Sequence, residues 1–163
     1  MTISSVRKRE FKRNQGRIYT YTEIKHGSKT GETLMAEGTK GELVVIKRPA
    51  LSQPNPDILT ASNADLERER IALLIPDIHN HPSTCKIIES DWKVEGGTKY
   101  LYLVIERASG ISVPKLIEQY HDQGKVLPEG IILNIMKQLL SLLAAAHRNK
   151  YVYNDVKADH LFL

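Results

Sequence analysis

A chain of 163 residues with 41% hydrophobic and 26% charged side chains has the composition of one ordinary globular domain, which excludes a low-complexity or disordered polymer. One cysteine, Cys85, excludes an intrachain disulfide and makes a reducing compartment the default. No apolar run approaches a membrane span and no apolar leader opens the chain, so a cytoplasmic protein without membrane contact is expected.

The net charge of +4 is concentrated early. Arg7, Lys8, Arg9, Lys12, Arg13 and Arg17 crowd residues 1–17, which read as a basic N-terminal arm: a solvated lead-in, or a surface for an acidic partner. Phe11 is its only aromatic residue, so the arm offers no platform on which bases stack, and nucleic acid is not the expected partner. Residues 18–24 mix β-branched and aromatic types with partial period-two alternation and predict a strand. A loop with two glycines, His26 to Gly31, leads to a second strand over Glu32 to Glu37. Gly38 to Gly41 is a turn, and Leu43 to Ile46 is a third strand, closed by Lys47-Arg48 and broken by Pro49. Residues 49–63, rich in Pro, Ser and Asn, read as a loop. Ser62 with Asp65 three residues later is a capping pattern, and it predicts a helix over Asn63 to Leu74 that Pro76 helps to end. Leu66, Glu69 and Leu73 share one face of that helix, whereas Glu67 points elsewhere. A carboxylate on an apolar stripe needs a partner, because burying it alone is costly.

Cys85 to Val94 and Thr98 to Glu106 are two further strands, joined as a hairpin by Glu95-Gly96-Gly97. After Ser109-Gly110 a short helix covers Val113 to Gln123, and Gly124 to Pro128 connects it to the longest helix, Glu129 to Arg148. There Ile132, Ile135, Met136, Leu139, Leu140 and Leu143 follow helical spacing and predict core packing. Leu161-Phe162-Leu163 closes the chain as a short apolar strand, expected to lack a partner and expose its edge. The fold class is α+β: a five-stranded antiparallel sheet with one inserted helix, then a mostly helical part. Three divisions follow, a basic arm over 1–17, a sheet region over 18–107 and a helical region over 108–163.

Three stretches carry chemistry in combination. Tyr153-Asn154-Asp155-Val156-Lys157-Ala158-Asp159-His160 follows the long helix, Val44-Val45-Ile46-Lys47 ends the third strand, and Leu103 to Ala108 ends the fifth. Over residues 18–163 the chain resembles the protein kinase family, serine/threonine type, from its N-terminal lobe through the catalytic loop. The family's loop reads His-Arg-Asp-x-Lys-x-x-Asn and its strand Val-Ala-Ile-Lys; Asp155, Lys157 and Lys47 match. The resemblance implies ATP and Mg2+ as cofactors and phosphoryl transfer to a protein hydroxyl. It implies that Lys47 reaches the α- and β-phosphates and pairs with Glu69, with Glu67 as the alternative. By the same resemblance Asp155 orients or deprotonates the substrate hydroxyl, and Lys157 balances charge on the transferred phosphoryl group. Val45 would roof the adenine, Ile105 would be the gatekeeper, and the backbone of Glu106 and Ala108 would meet the adenine edge.

The departures from the pattern matter as much. Of the family's Gly-x-Gly-x-x-Gly only the third glycine is kept, at Gly31; His26 and Ser28 occupy the other two positions, with Gly27 between them. Gly27, Ser28 and Gly31 remain the candidate phosphate loop, because backbone N–H groups and a hydroxyl still suit phosphate. Tyr153 and Asn154 replace the family's His and Arg, and His160 replaces the magnesium-binding Asn as the candidate metal ligand. Imidazole is a poorer ligand for this hard cation than an amide oxygen. The chain stops before an Asp-Phe-Gly segment, so this chain alone is expected to be inactive, with activity residing in a longer protein. The alternative is a short pseudokinase that binds a protein partner through its C-terminal edge. A small-molecule kinase of related fold is a third reading, disfavoured by Lys157.

Overall fold

The computed structural model describes residues 9–12, 18–27, 31–51 and 55–163, with backbone alone for 22–27. The chain divides into two compact units, the first made of Met1–Leu73 and Lys86–Arg107 and the second of Leu74–Cys85 and Ala108–Leu163.

The first unit is built on strands β1 (Arg9–Lys12), β2 (Ile18–Gly27), β3 (Gly31–Glu37), β4 (Leu43–Pro49), β5 (Ile87–Glu95) and β6 (Thr98–Glu106), with helix α1 (Pro56–Leu74) inserted. Their order in one antiparallel sheet is β1-β2-β3-β4-β6-β5. Side chains alternate between faces, and the register stacks apolar residues of β1, β2, β3, β4 and β6 on one side. Leu34 faces Ile46, Ala36 faces Val44, and Ile46 faces Val104. With Phe11, Tyr19, Tyr21, Tyr100 and Tyr102 they form the core.

The sheet has six strands where five were expected, and the extra one lies inside the basic arm. In Arg9-Glu10-Phe11-Lys12 only Phe11 points inward, at 1% exposure, while its charged neighbours face solvent. One apolar residue among charges gives too little periodicity to be read as a strand. The curl of the sheet supplies the reason it forms. Phe11 on β1 packs edge-on against Tyr102 on β6 with ring centroids 5.0 Å apart. Lys93 on β5 sets its ammonium 4.2 Å from the centre of the Phe11 ring. Strands at opposite ends of the sheet order therefore meet through one side chain, and Phe11 closes the curl.

Two polar clusters border this core. Glu32 and Arg48 are directly opposed on β3 and β4; the Arg48 Nε donates to Glu32 Oε2 at 2.9 Å, and both side chains are about nine-tenths buried. The Tyr100 hydroxyl donates to Glu95 Oε2 at 2.8 Å, and Lys93 lies 3.1 Å from the same carboxylate. The Tyr100 bond, aided by Lys93, outweighs burial and holds the Glu95 carboxyl below the usual carboxylate range. Burial, then the same bond, pushes the Tyr100 hydroxyl above its ordinary value.

Helix α1 begins at Pro56, well before Asn63. The Asn55 side-chain oxygen accepts the Asp57 N–H at 2.9 Å, Pro56 takes the first helical position, and Asp57 adds a favourable charge in the first turn. Ser62 is not at the start of the helix; it is buried within it. Asn63 instead accepts the backbone N–H of Leu101 at 2.9 Å and pins α1 to β6. The β5–β6 hairpin turns at Gly96 and Gly97, both at positive φ (57° and 80°), the two-residue turn whose twist matches its strands.

The second unit contains α2 (Pro76–His79), α3 (Val113–Asp122), α4 (Glu129–Arg148) and a 3-10 turn at Ala158–His160. Pro76 opens α2 rather than merely ending α1. Contacts to α4 concentrate on its C-terminal half. Ala145 and Ala146 are buried, the Asn149 amide donates to Asp77 at 3.1 Å, and His81 bonds Ser141 at 3.0 Å. The expected core stripe is therefore only partly covered: Ile135, Leu139 and Leu143 are half-buried, while Ile132, Met136 and Leu140 are exposed. By length and composition α4 is apolar enough to cross a membrane, which corrects the expectation that no run approaches a span. Asn134, Lys137 and Gln138 interrupt it at mid-length.

The terminal segment has a partner, contrary to expectation. Ile111 and Leu163 exchange backbone hydrogen bonds at 2.9 and 3.0 Å, and the Val113 N–H donates to Leu161 at 2.9 Å. Gly110 permits this pairing. It sits at φ +90°, and a Cβ there would collide with the Leu163 carbonyl.

Candidate functional site

In the first unit the candidate residues fall on the face of the sheet opposite the aromatic core. Val45 faces Ile105 and Lys47 faces Leu103 across β4 and β6, while Met35 and Thr33 flank them on β3. Leu103 is fully buried, whereas Val45, Lys47 and Ile105 are half-buried. The result is a partly open apolar shelf with one cation at its end.

Glu69 fixes that cation. The Lys47 Nζ lies 2.5 Å from Glu69 Oε1, with both side chains about one-third exposed. A flexible lysine stem is thereby held in one direction by a helix that is itself tied to β6 through Asn63. Glu67, the alternative carboxylate, binds Arg70 one turn away at 2.6 Å. Gly27 ends β2 opposite Glu32, and Gly31 starts β3 opposite Pro49. Ser28 and Thr30 lie outside the described residues, as does most of the basic arm. Glu106 closes β6; its N–H donates to the Lys86 carbonyl at 2.8 Å, and its carboxylate accepts the Lys86 N–H at 3.1 Å. The first unit ends at Arg107, and Ala108, half-buried, begins the second.

In the second unit Asp155, Lys157 and His160 come together around the 3-10 turn. The Lys157 ammonium donates to Asp155 Oδ2 at 3.0 Å. His160 Nδ1 lies 3.0 Å from the Tyr153 hydroxyl, 3.1 Å from the Asp155 carbonyl oxygen and 3.7 Å from Asp155 Oδ2. All four side chains are substantially exposed. Tyr153 therefore acts on His160, a contact that sequence spacing did not reveal because the turn folds residue 160 back on residue 153.

These residues fit nucleotide phosphate better than they fit Mg2+. Lys47 is a positioned cation beside an apolar shelf, which suits a purine nucleotide. Of the candidate residues in the terminal loop, Asp155 offers Mg2+ a carboxylate already engaged by Lys157 and His160 offers a nitrogen, where this ion demands oxygens. Among the described residues no three His, Cys, Asp or Glu side chains converge as a metal-holding group.

Comparison with known proteins finds protein kinases among the relatives of this chain. Nek3, a serine/threonine-protein kinase of Mus musculus, is 30% identical over 105 residues, 64% of this chain and 19% of the relative. Nucleosomal histone kinase 1 of Drosophila melanogaster is 36% identical over 67 residues, 41% of this chain and 10% of the relative. Myosin-IIIa of Homo sapiens is 30% identical over 101 residues, 61% of this chain and 6% of the relative. The matched part thus spans no more than a fifth of these relatives. No family model matches the chain. The α+β architecture, with its curled antiparallel sheet and inserted helix, is compatible with the smaller lobe of a protein kinase, and the chain has a kinase-like relationship to these proteins.

Proposed function

We propose that this chain is the nucleotide-binding part of a protein-kinase-type phosphotransferase, and that the complete protein moves the terminal phosphoryl group of ATP to a serine or threonine hydroxyl of a protein. The observation that carries the reading is the Lys47–Glu69 ion pair at 2.5 Å beside the Val45–Ile105 shelf. Adenine stacks under Val45 and Ile105 and meets the backbone at Glu106. Lys47 holds the α- and β-phosphates. Asp155 orients the attacking hydroxyl and accepts its proton as the new O–P bond forms and ADP leaves, and Lys157 offsets charge on the phosphoryl oxygens. A cytoplasmic setting and a protein partner belong to this reading.

One observation favours a second reading, a pseudokinase that binds nucleotide without transferring phosphate. His160 occupies the position of the metal-binding asparagine, and its Nδ1 is turned onto Tyr153 and the Asp155 carbonyl. Radiolabelled ATP with the complete protein and a general protein substrate separates the two. Transfer that disappears in Asp155→Asn supports the phosphotransferase. Saturable ATP binding with no transfer above the Asp155→Asn background supports the pseudokinase. The absence of both binding and transfer rejects both.

A further inference from the structure

We propose that Asn63 is a positioning residue: by accepting the backbone N–H of Leu101 it fixes the rotation of α1 about its axis, and so delivers Glu69 rather than a neighbouring arginine to Lys47. Its consequence for phosphate binding rests on the function proposed above; the positioning itself does not.

The need arises on β6. Pairing between β4 and β6 runs from Val44–Glu106 to Lys47–Leu103. Arg48 and Pro49 then stay with β3, opposite Glu32 and Gly31. Leu101, two residues before Leu103, lies beyond the β4 pairing, yet it is only 1% exposed. A buried N–H left unpaired is as costly as a lost hydrogen bond. Asn63 Oδ1 takes that N–H at 2.9 Å, from 38 positions away in sequence. A side chain of α1 thus continues the ladder where β4 leaves it, and both partners belong to the first unit.

The same bond sets the phase of the helix. Three residues of α1 contact the sheet region: Leu59 packs on the aromatic core, Asn63 bonds Leu101, and Glu69 reaches Lys47. The Leu59 contact tolerates rotation, because apolar burial has no direction. Asn63 precedes Glu69 by six residues, about 9 Å along the axis, and each residue turns the helix by about 100°. A rotation of one position would bring Arg68 or Arg70 to face Lys47, cation against cation. Both arginines are held by carboxylates one turn back, Arg68 by Asp65 and Arg70 by Glu67. The sequence Arg68-Glu69-Arg70 makes the phase of α1 decisive, and Asn63 is the directional contact that sets it.

Carbodiimide coupling of the 163-residue chain tests this, because a zero-length reagent joins an amine and a carboxylate only where they touch. Mass spectrometry of the digested parent should show a Lys47–Glu69 link. In Asn63→Ala its yield should fall by about fivefold or more, within the worth of one hydrogen bond. The Lys93–Glu95 link, a contact of the same unit at 3.1 Å, should persist. Asn63→Asp keeps an acceptor at this position and should restore the Lys47–Glu69 link. An undiminished link in Asn63→Ala, or no recovery in Asn63→Asp, would overturn the proposal. Loss of both links in Asn63→Ala would mean lost fold rather than lost position, and would overturn it too. ATP affinity adds a readout that general destabilisation does not mimic. Asn63→Ala should weaken binding about threefold to tenfold in the parent but less than about twofold in Glu69→Ala, because it acts through Glu69. Equal losses in the two backgrounds would contradict that route. Absence of ATP binding by the parent would reject the nucleotide reading alone, and the coupling products would still decide the role of Asn63.

Discussion

Replacing Phe11 tests whether part of the basic N-terminal segment is integral to the fold. Its side chain is 1% exposed and lies against Tyr102 and Lys93, from strands near or at the other end of the sheet. Truncating a buried phenylalanine to alanine costs about 3–5 kcal/mol, from lost transfer free energy plus the cavity left behind. The share specific to the ring is an edge-on aromatic pair, about 0.5–1.5 kcal/mol, and a cation–π contact, about 0.5–1 kcal/mol. Phe11→Leu, which keeps the apolar volume, should therefore lose roughly 1–2.5 kcal/mol by the same two magnitudes. With a urea slope of about 2 kcal/mol per molar, the midpoint should fall by about 1.5–2.5 M for Phe11→Ala and about 0.5–1.2 M for Phe11→Leu. Arg9→Ala and Lys12→Ala, whose side chains face solvent, should stay within about 0.5 kcal/mol of the parent. Urea unfolding followed by tyrosine and tryptophan fluorescence reads all four variants. A Phe11→Ala midpoint indistinguishable from the parent would refute the claim that β1 closes the sheet.

Other outcomes follow from the same geometry. Arg48→Met leaves Glu32 charged and unpaired at about nine-tenths burial, and it should cost about 3–5 kcal/mol; adding Glu32→Leu should recover most of that, and failure of the double variant to recover would mean the pair is not what holds this corner. Glu95 has a folded pKa below its unfolded value, so its contribution is present above the unfolded value and is lost as pH falls through the folded one. Urea midpoints of the parent and Glu95→Gln should accordingly differ near neutrality and converge in acid, with the Tyr100 bond as the main cause; parallel pH profiles would contradict this. Leu133→Gln, Met136→Gln and Leu140→Gln alter exposed positions of α4 and should each change stability by less than about 1 kcal/mol. A loss above about 2 kcal/mol for any of them would show that this face is covered.

What the sequence could reveal depended on whether the signal was local. The long helix was legible to the residue, because six apolar positions over Glu129–Arg148 repeat at helical spacing. The β5–β6 hairpin was legible from its Gly-Gly turn, and the face of α1 that carries Glu69 from the Leu66–Leu73 spacing. The start of α1 was misplaced because Ser62 and Asp65 imitate a cap, while Asn55-Pro56-Asp57, a stronger one, was read as loop. Strand β1 was invisible for a different reason: it is four residues long, and its one inward residue packs on Tyr102 and Lys93, roughly eighty to ninety positions away. The pairing of Leu161–Leu163 with Ile111–Val113 is likewise non-local. Residue types singled out Lys47, Glu69 and Asp155 as candidates, but the turn that brings His160 back to Tyr153 emerged only from the folded chain.

The account stands on Lys47 as a positioned phosphate ligand, and the most direct test is the affinity of this chain for ATP, measured by calorimetry without divalent cations. The parent should bind, Lys47→Ala should weaken binding at least tenfold, about 1.4 kcal/mol, and Glu69→Ala should weaken it in the same direction. Glu67→Ala should change little, since Glu67 serves Arg70. Equal affinities for the parent and Lys47→Ala, or no binding by the parent, would contradict the account.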